Sequence, residues 1–155
     1  MSIKVVELHH HGIRIGTTPE EVESARQFYT DVLGLHTDLR RPNIPSIPGF
    51  WMYVGQGEQT TQIHLMGAKG MSPMARSEKE DPTLPHVALA VENIQEAREE
   101  LERRGIWHWR IQGLVGANSD QVFVRDPFGN VIELHQVGSC TCNKIALGAG
   151  EMRAG

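Results

Sequence analysis

The feature that most constrains the fold of this 155-residue chain is an internal repeat. Residues 8–35 and residues 85–105 follow one plan, in which a short segment of alternating apolar residues leads into an amphipathic segment with helical spacing. Strand-like segments follow each predicted helix, and the turn sequence DPFGN at residues 126–130 separates the last two of them. Two βαβββ units are the simplest account of this pattern, and they predict an α+β fold.

Both predicted helices carry start and stop signals. Thr18 suits the N-cap position of the first helix, and Glu21, three residues later, completes a capping box. Asn93 takes the same N-cap position in the second helix. Gly34 and Gly105 follow the last apolar positions and end the two helices.

We divide the chain into a single domain at residues 1–137 and a loosely attached tail at residues 138–155. Within the domain, module one covers about residues 5–67 and module two covers about residues 85–137. A linker rich in proline, glycine and charged residues, about residues 68–84, joins the two modules. The tail lacks a usable hydrophobic period, so we expect it to add nothing to the core.

Composition restricts the classes of function. The formal net charge is −4 and no basic run appears, which argues against a nucleic-acid partner. No stretch approaches the roughly 20 apolar residues that cross a membrane, and the N-terminal MSIKVVEL lacks the pattern of a secretory signal. Cys140 and Cys142, the only cysteines, are too close in sequence for an unstrained disulfide, and no second pair completes a Cys-x-Cys metal site. We therefore expect a cytoplasmic protein with reduced thiols.

Four strands each carry one histidine or glutamate on the face opposite their aliphatic residues. These residues are His10, His64, His86 and Glu133, in the first and last strands of the two modules. Alternate residues of a strand share a face, so the aliphatic side chains turn to the helices and these four side chains turn away from them. Small residues beside His10 and His86 leave room for a bound group. A carboxylate among aliphatic neighbours is costly unless it is paired or ligated.

The same alternation predicts the face of the strand on which each of the three histidines at residues 9–11 lies. His10 shares the inward face with Gly12, whereas His9 and His11 share the helix-side face with Ile13. The alternative is the remnant of a purification tag, but such tags are longer and lie outside the periodic pattern. One histidine of the three is therefore expected to have a role in the site.

The order of these motifs resembles the vicinal oxygen chelate superfamily. The motifs are HHGIRI, FYTDVLGL, HVALAV and VFVRDPFGNVIEL, and the resemblance covers roughly residues 7–137. The superfamily includes glyoxalase I, methylmalonyl-CoA epimerase, extradiol dioxygenases, fosfomycin-modifying enzymes and bleomycin-binding proteins. The resemblance implies that the two βαβββ modules form an open, β-barrel-like cleft that holds one divalent metal ion. It also implies that His10, His64, His86 and Glu133 are the metal ligands.

Three imidazoles and one carboxylate suit Fe, Mn, Co, Ni or Zn rather than calcium. Resemblance to glyoxalase I implies that Glu133 leaves the metal and acts as a catalytic base. His64 stands where glyoxalase I usually has a glutamate, so it is either a fourth ligand, a proton carrier beside the metal, or a cavity histidine without a chemical role. Arg14, Gln62 and His135 share the inward face and are candidate substrate-binding residues, although Arg14 also suits a solvated strand end and Gln62 also suits a bond to a neighbour.

The leading functional hypothesis is a metal-dependent enzyme acting on a small oxygen-chelating substrate. The resemblance favours glyoxalase-like lyase or isomerase chemistry through a metal-bound enediolate. An Fe(II) ring-cleaving dioxygenase of the extradiol type is the alternative. A metal-free antibiotic-binding protein is a third hypothesis, against which the complete ligand set argues. We expect a small-molecule substrate, no nucleic-acid or membrane partner, and a homodimer of the kind common in the superfamily.

Overall fold

The computed structural model describes residues 1–55 and 61–139. Within these residues the chain forms eight strands, two α-helices and one π-helical turn: β1 (Val5–Ile15), α1 (Pro19–Gln27), the π-helical turn (Phe28–Val32), β2 (His36–Thr37), β3 (Gly49–Val54), β4 (Thr61–Gly67), β5 (His86–Val91), α2 (Ile94–Arg103), β6 (His108–Gln112), β7 (Asp120–Arg125) and β8 (Val131–Gln136). The order of elements is βαβββ twice, as the repeat predicts. Most of the predicted tail, including both cysteines, lies outside the described residues.

All eight strands of the described chain belong to one open, mixed sheet in the order β2-β3-β4-β1-β5-β8-β7-β6. Within each module the first and last strands are parallel neighbours, β1 with β4 and β5 with β8. The modules meet where β1 pairs antiparallel with β5. This order places the four strands that carry the candidate ligands side by side at the centre of the sheet. The predicted α+β fold of two βαβββ modules is confirmed.

The helix signals in the sequence are confirmed. The Thr18 hydroxyl accepts a hydrogen bond from the Glu21 backbone N–H at 3.2 Å, and the Glu21 carboxylate accepts one from the Thr18 N–H at 3.1 Å. The Asn93 side chain caps α2 in the same way. Gly34 and Gly105, with φ of 68° and 65°, follow the helices in the left-handed region that glycine tolerates best. Neither helix of the described residues is long and apolar enough to cross a membrane.

The end of the first predicted helix differs from the expectation. Residues 28–32 form a π-helical turn rather than a continuation of α1. Because a π turn has a different residue spacing, it rotates the following side chains away from the α-helical stripe. The structure also exposes three side chains that the sequence pattern placed on the buried stripe, Phe28, Val32 and Leu33.

The side chains of the second module form two apolar clusters on opposite faces of the sheet. The first lies between α2 and the sheet and contains Val91, Ala97, Leu101, Val122 and Leu134. Burying a leucine of this kind stabilises the fold by about 2 kcal/mol. The second contains Trp109, Ile111, Phe123 and Val131, and the Phe123 ring contacts His86 edge-on. The second cluster therefore supports the face on which the candidate ligands lie.

The linker between the modules is anchored by one buried carboxylate. Asp81 is 1% exposed and accepts hydrogen bonds from the backbone N–H and the hydroxyl of both Ser72 and Thr83. Burial alone would raise the pKa of Asp81, but these hydrogen bonds outweigh it and hold the pKa below its ordinary value. Arg14 at the end of β1 donates to Asp81 at 3.2 Å and to the Thr83 hydroxyl and carbonyl at 2.9 Å. The linker is thus tied to module one through ionic and hydrogen-bonded contacts.

Candidate metal centre

Three buried side chains from neighbouring central strands converge on one point: His10 of β1, His86 of β5 and Glu133 of β8. The Nε2 atoms of the two histidines are 3.2 Å apart, and they lie 3.6 Å and 3.1 Å from the same Glu133 oxygen, Oε2. Two ligand atoms that each lie about 2.1 Å from one ion, with about 90° between them, are separated by about 3 Å. The three observed separations therefore suit ligands of a single ion.

The hydrogen bonds around these side chains indicate which atoms are free to bind a cation. His86 Nδ1 donates to the Leu84 carbonyl at 2.6 Å, so His86 Nε2 keeps its lone pair in the neutral ring. His10 Nδ1 lies 2.9 Å from His9 Nδ1, to which it donates in the tautomer that leaves His10 Nε2 free. When both rings are in these neutral tautomers, two imidazole lone pairs and the Glu133 carboxylate face one another. Such a set of acceptors repels itself unless a cation lies at its centre, and the residues present therefore fit a divalent metal ion.

The pKa shifts of the three side chains reflect their burial and their contacts with one another. Burial lowers the pKa of His10 to about 4, against the opposing effect of Glu133. Burial acts to raise the pKa of Glu133, but the two histidines outweigh it and hold that pKa well below its usual range. Burial acts to lower the pKa of His86, and its contacts with Glu133 more than offset this, so the pKa of His86 is raised. Glu133 therefore stays ionised and supplies a buried negative charge.

The position of the His86 ring depends on a glycine. A Cβ atom at Gly12 would lie 2.6 Å from His86 Cε1 and 2.8 Å from His86 Nε2. Gly12 pairs with His86 in the β1–β5 register, so the imidazole packs directly over its Cα atom. From the sequence, the small residue at position 12 was expected to leave room for a bound group, whereas the space beside Gly12 is taken by the side chains of His86 and Met66.

The expected orientation of His9 was wrong. The register of β1 against β5 shifts between Leu8 and His10, which makes His9 the extra residue of a β-bulge. Strict alternation does not hold across a bulge, so His9 is buried beside His10, whereas only His11 is exposed. The His9 ring also packs edge-on against His135, with ring centroids 4.3 Å apart. A bulge leaves no local signal in an alternating sequence.

His64 occupies a different place from the one expected of a fourth ligand. Its ring lies flat between His10 and Trp51, with centroid distances of 3.7 Å and 4.5 Å and interplanar angles of 15° and 11°. Its Nε2 donates to the Gln62 side-chain oxygen at 2.9 Å. Burial holds the pKa of His64 well below its ordinary value, so the ring is neutral. His64 lines the cavity beside the three-residue group without joining it, and its role as a proton carrier stays a prediction.

Of the three candidate substrate-binding residues, His135 alone lines the cavity next to the group. His135 Nε2 is buried and has no hydrogen-bond partner within residues 1–55 and 61–139. Gln62 uses its oxygen for His64 and its amide nitrogen for Asp38, at 3.0 Å. Arg14 is held by the linker network described above. Gln62 and Arg14 thus bind other protein groups, and their contact with a substrate stays a prediction.

Gln121 is a residue of the site that the sequence pattern did not reveal. Its Nε2 donates to Glu133 Oε1 at 3.0 Å, and it is buried. This bond fixes the Glu133 oxygen that does not face the two histidines. The alternation of β7 places Gln121 on the same side as Phe123, and that spacing is the signal that could have identified it.

The three-residue group opens into a cavity of about 50 Å³, enough for roughly four water molecules. Both modules contribute to its walls, which are largely apolar. The apolar wall residues include Ile44 and Ile47 from the β2–β3 loop, Trp51 from β3, and Leu114 and Val115 from the β6–β7 loop. Arg41, in a segment whose composition indicates only a loop, also lines this cavity.

Comparison with known proteins agrees with the fold and the motif order. Residues 7–134 match the Glyoxalase/Bleomycin resistance protein/Dioxygenase superfamily. The lactoylglutathione lyase of Salmonella typhimurium is 32% identical over 132 residues, covering 83% of this chain and 91% of that enzyme. The lactoylglutathione lyase of Escherichia coli O157:H7 is 31% identical with the same coverage.

Among solved structures, the methylmalonyl-CoA epimerase of Mycobacterium tuberculosis has a TM-score of 0.61 at 22% identity, covering 88% of this chain and 90% of that one. The 2,3-dioxygenase LapB of Pseudomonas sp. KL28 has a TM-score of 0.63 at 16% identity, covering 97% of this chain and 45% of that one. At 22% and 16% identity, these two structures show similarity of the fold alone. The chain belongs to the Glyoxalase/Bleomycin resistance protein/Dioxygenase superfamily.

Proposed function

We propose that this protein is a metal-dependent enzyme in which His10, His86 and Glu133 hold one divalent ion. The observation that carries the proposal is the convergence of three buried acceptor atoms within 4.8 Å of one another, with both histidine Nδ1 atoms engaged elsewhere. Two imidazoles and a carboxylate without a thiolate suit Fe, Mn, Co, Ni or Zn. Three protein ligands also leave coordination positions for the oxygens of a substrate.

For the reaction we propose glyoxalase-like lyase or isomerase chemistry on a substrate with two adjacent oxygens. The similarity to lactoylglutathione lyases over most of the chain supports this class. A bound divalent ion supplies Lewis-acid polarisation of the substrate oxygens. Glu133 is the group that holds the transferred proton, and the Gln121 amide orients its carboxylate beside the cavity. The apolar wall residues exclude water from the substrate carbon that loses and regains this proton.

Extradiol-type ring cleavage with Fe(II) is the second candidate. It is favoured by the composition of the group, because two histidines and one carboxylate are the ligand set of many non-haem Fe(II) oxygenases. The proposed proton carrier near the ligands, in either reaction, is His64, whose ring stacks on His10. Oxygen uptake with a panel of catechols distinguishes the two candidates, since lyase and isomerase chemistry consumes no oxygen.

The first experiment is the metal content of untagged protein purified without chelators, measured by mass spectrometry. The wild type is expected to contain about one ion per site, and His86→Ala is expected to lose it. His11→Ala is the matched control, because it removes an exposed histidine from the same run. Iron directs the next assay to oxygen uptake, and nickel, cobalt, manganese or zinc directs it to the hemithioacetal of methylglyoxal and glutathione. A wild type that neither contains nor takes up metal contradicts the proposal.

The homodimer and the cytoplasmic location stay predictions. Light scattering of the purified chain tests the first, and cell fractionation tests the second.

A further inference from the structure

We propose that Arg41 forms an anion-binding subsite in the cavity, and that the substrate carries a carboxylate in addition to its two metal-binding oxygens. This inference rests on the proposed function, since it names the substrate class of the same site. The carboxylate would lie against the guanidinium, and the two adjacent oxygens would bind the ion that His10, His86 and Glu133 hold.

Arg41 lines the same cavity as the three-residue group, and its guanidinium is held in place by backbone carbonyls. One terminal nitrogen donates to the Pro42 carbonyl at 3.1 Å, and the other donates to the Ile47 carbonyl at 2.6 Å. The Nε atom is buried and has no hydrogen-bond partner among the residues that the structure describes. Burial lowers the pKa of Arg41 from its ordinary value, as expected for a cation that has lost water without gaining a charged partner. The two carbonyls fix the orientation of the guanidinium but leave its charge uncompensated.

Neighbouring arginines of the described chain are paired differently. Arg40, the adjacent residue, contacts the Asp38 carboxylate at 3.2 Å, and Arg110 contacts the Asp120 carboxylate at 2.6 Å. Within the described residues Arg41 forms no such ion pair. A partly buried guanidinium is costly unless an anion compensates it, and a carboxylate is the group whose geometry matches its planar set of donors.

The charges and walls of the cavity favour an anionic ligand with an apolar body. Glu133 contributes one negative charge, and Asp120 on the wall is neutralised by Arg110. With a divalent ion bound, the cavity would therefore carry a net positive charge, to which Arg41 contributes. Two loops supply the apolar wall: the β2–β3 loop contributes Ile44 and Ile47, and the β6–β7 loop contributes Leu114 and Val115. A single guanidinium suits a carboxylate better than a phosphate dianion, which needs more donors.

The test compares two probes that chelate a metal in the same way and differ in charge. 3,4-Dihydroxybenzoate carries a carboxylate, and 3,4-dihydroxybenzamide carries a neutral amide at the same ring position. Each is titrated calorimetrically into zinc-loaded protein. We expect the wild type to bind the carboxylate probe at least about tenfold more tightly than the amide, because a charge-assisted hydrogen bond has about this effect.

The variants separate direct binding from support of the loop. Arg41→Gln is expected to lose the preference for the carboxylate probe while its zinc affinity and its affinity for the amide probe stay within about twofold. Arg41→Lys keeps the charge without the planar donors and is expected to keep part of the preference. Arg76→Gln removes an exposed cation from the linker and is expected to change neither affinity.

Two results would overturn the subsite. One is a wild type that binds both probes equally, and the other is an Arg41→Gln variant that weakens both probes to the same extent, as loss of loop support alone would do. A wild type that takes up no zinc overturns the proposed function itself. If the wild type takes up zinc but does not prefer the carboxylate probe, the subsite is overturned and the proposed function is not.

Discussion

The substitution Gly12→Ala tests the packing on which the candidate metal centre depends. A Cβ atom at this position would lie 2.6 Å from His86 Cε1 and 2.9 Å from the terminal methyl of Met66. Gly12 does not have a positive φ, so alanine is compatible with its backbone and the whole effect comes from side-chain contact. Met66 ends in a flexible chain and can move aside. The His86 ring cannot do so freely, because its Nδ1 is bonded to Leu84 and its face meets the edge of Phe123.

The distances give the size of the effect. Restoring an ordinary 3.4 Å contact requires the His86 ring to move by about 0.8 Å, which displaces Nε2 from the point that it shares with His10 and Glu133. Overpacking of this kind costs about 1–3 kcal/mol, and the smaller conformational freedom of alanine in the unfolded chain returns about 0.4–1 kcal/mol. We therefore expect Gly12→Ala to lower the free energy of unfolding of the metal-free protein by about 1–2 kcal/mol, and to weaken metal binding about 10- to 100-fold.

A double-mutant cycle measures this contact directly. Urea unfolding is followed for the metal-free wild type, Gly12→Ala, His86→Ala and the double variant, and metal affinity is followed by competition with a chromophoric chelator. Without the His86 ring, Gly12→Ala is expected to be neutral or to stabilise the fold by up to about 1 kcal/mol. An equal loss of stability in both backgrounds would refute the reasoning, because the clash would then not involve His86.

Three further predictions concern other contacts. His9→Ala removes the partner of His10 Nδ1, so metal affinity measured by the same competition is expected to fall about 10- to 100-fold; unchanged affinity would exclude this supporting role. Asp81→Ala leaves Arg14 and the linker N–H groups without their acceptor, so urea unfolding is expected to show a free energy of unfolding lower by about 3 kcal/mol. A decrease below about 1 kcal/mol would contradict the anchoring role of the linker network. Arg103 and Arg104 lower the pKa of Glu100 to about 2, so its contribution to stability is present above its ordinary pKa and is lost as the pH falls from that value towards 2. Glu100→Gln should therefore flatten the acid limb of the thermal stability profile, and an unaltered profile would refute this assignment.

Alternation along regular strands was sufficient to predict the position of two candidate ligands. β5 and β8 contain no bulge, so His86 and Glu133 each lie on the face opposite the aliphatic residues, as their spacing indicates. The parallel pairing of these strands, which was not predicted from the sequence, then brings the two side chains together. β1 does contain a bulge, and for this reason the sequence placed His10 correctly but His9 incorrectly.

Alternation predicts the face of a residue but not its partner. Gln62 lies on the predicted face, yet Asp38, from a distant part of the chain, takes its amide and His64 takes its oxygen. Arg14 likewise meets Asp81, which is 67 residues away. Contacts of this kind depend on how loops return to the sheet, and a single sequence carries no periodic signal for them. The same limitation applies to Arg41, whose contact with the cavity depends on the path of the β2–β3 loop.

The repeat also shows why the two halves of the site differ. In the register of β3 with β4, Trp51 is opposite His64, and in the equivalent register of β7 with β8, Phe123 is opposite Glu133. Trp51 stacks flat on His64 and holds it parallel to the His10 ring, whereas Phe123 leaves Glu133 free to face the two histidines. The module that carries the carboxylate therefore completes the ligand group, and the module that carries the stacked histidine does not. In the proposed metal centre, three protein ligands rather than four would leave coordination positions for the oxygens of a substrate in the cavity that Arg41 also lines.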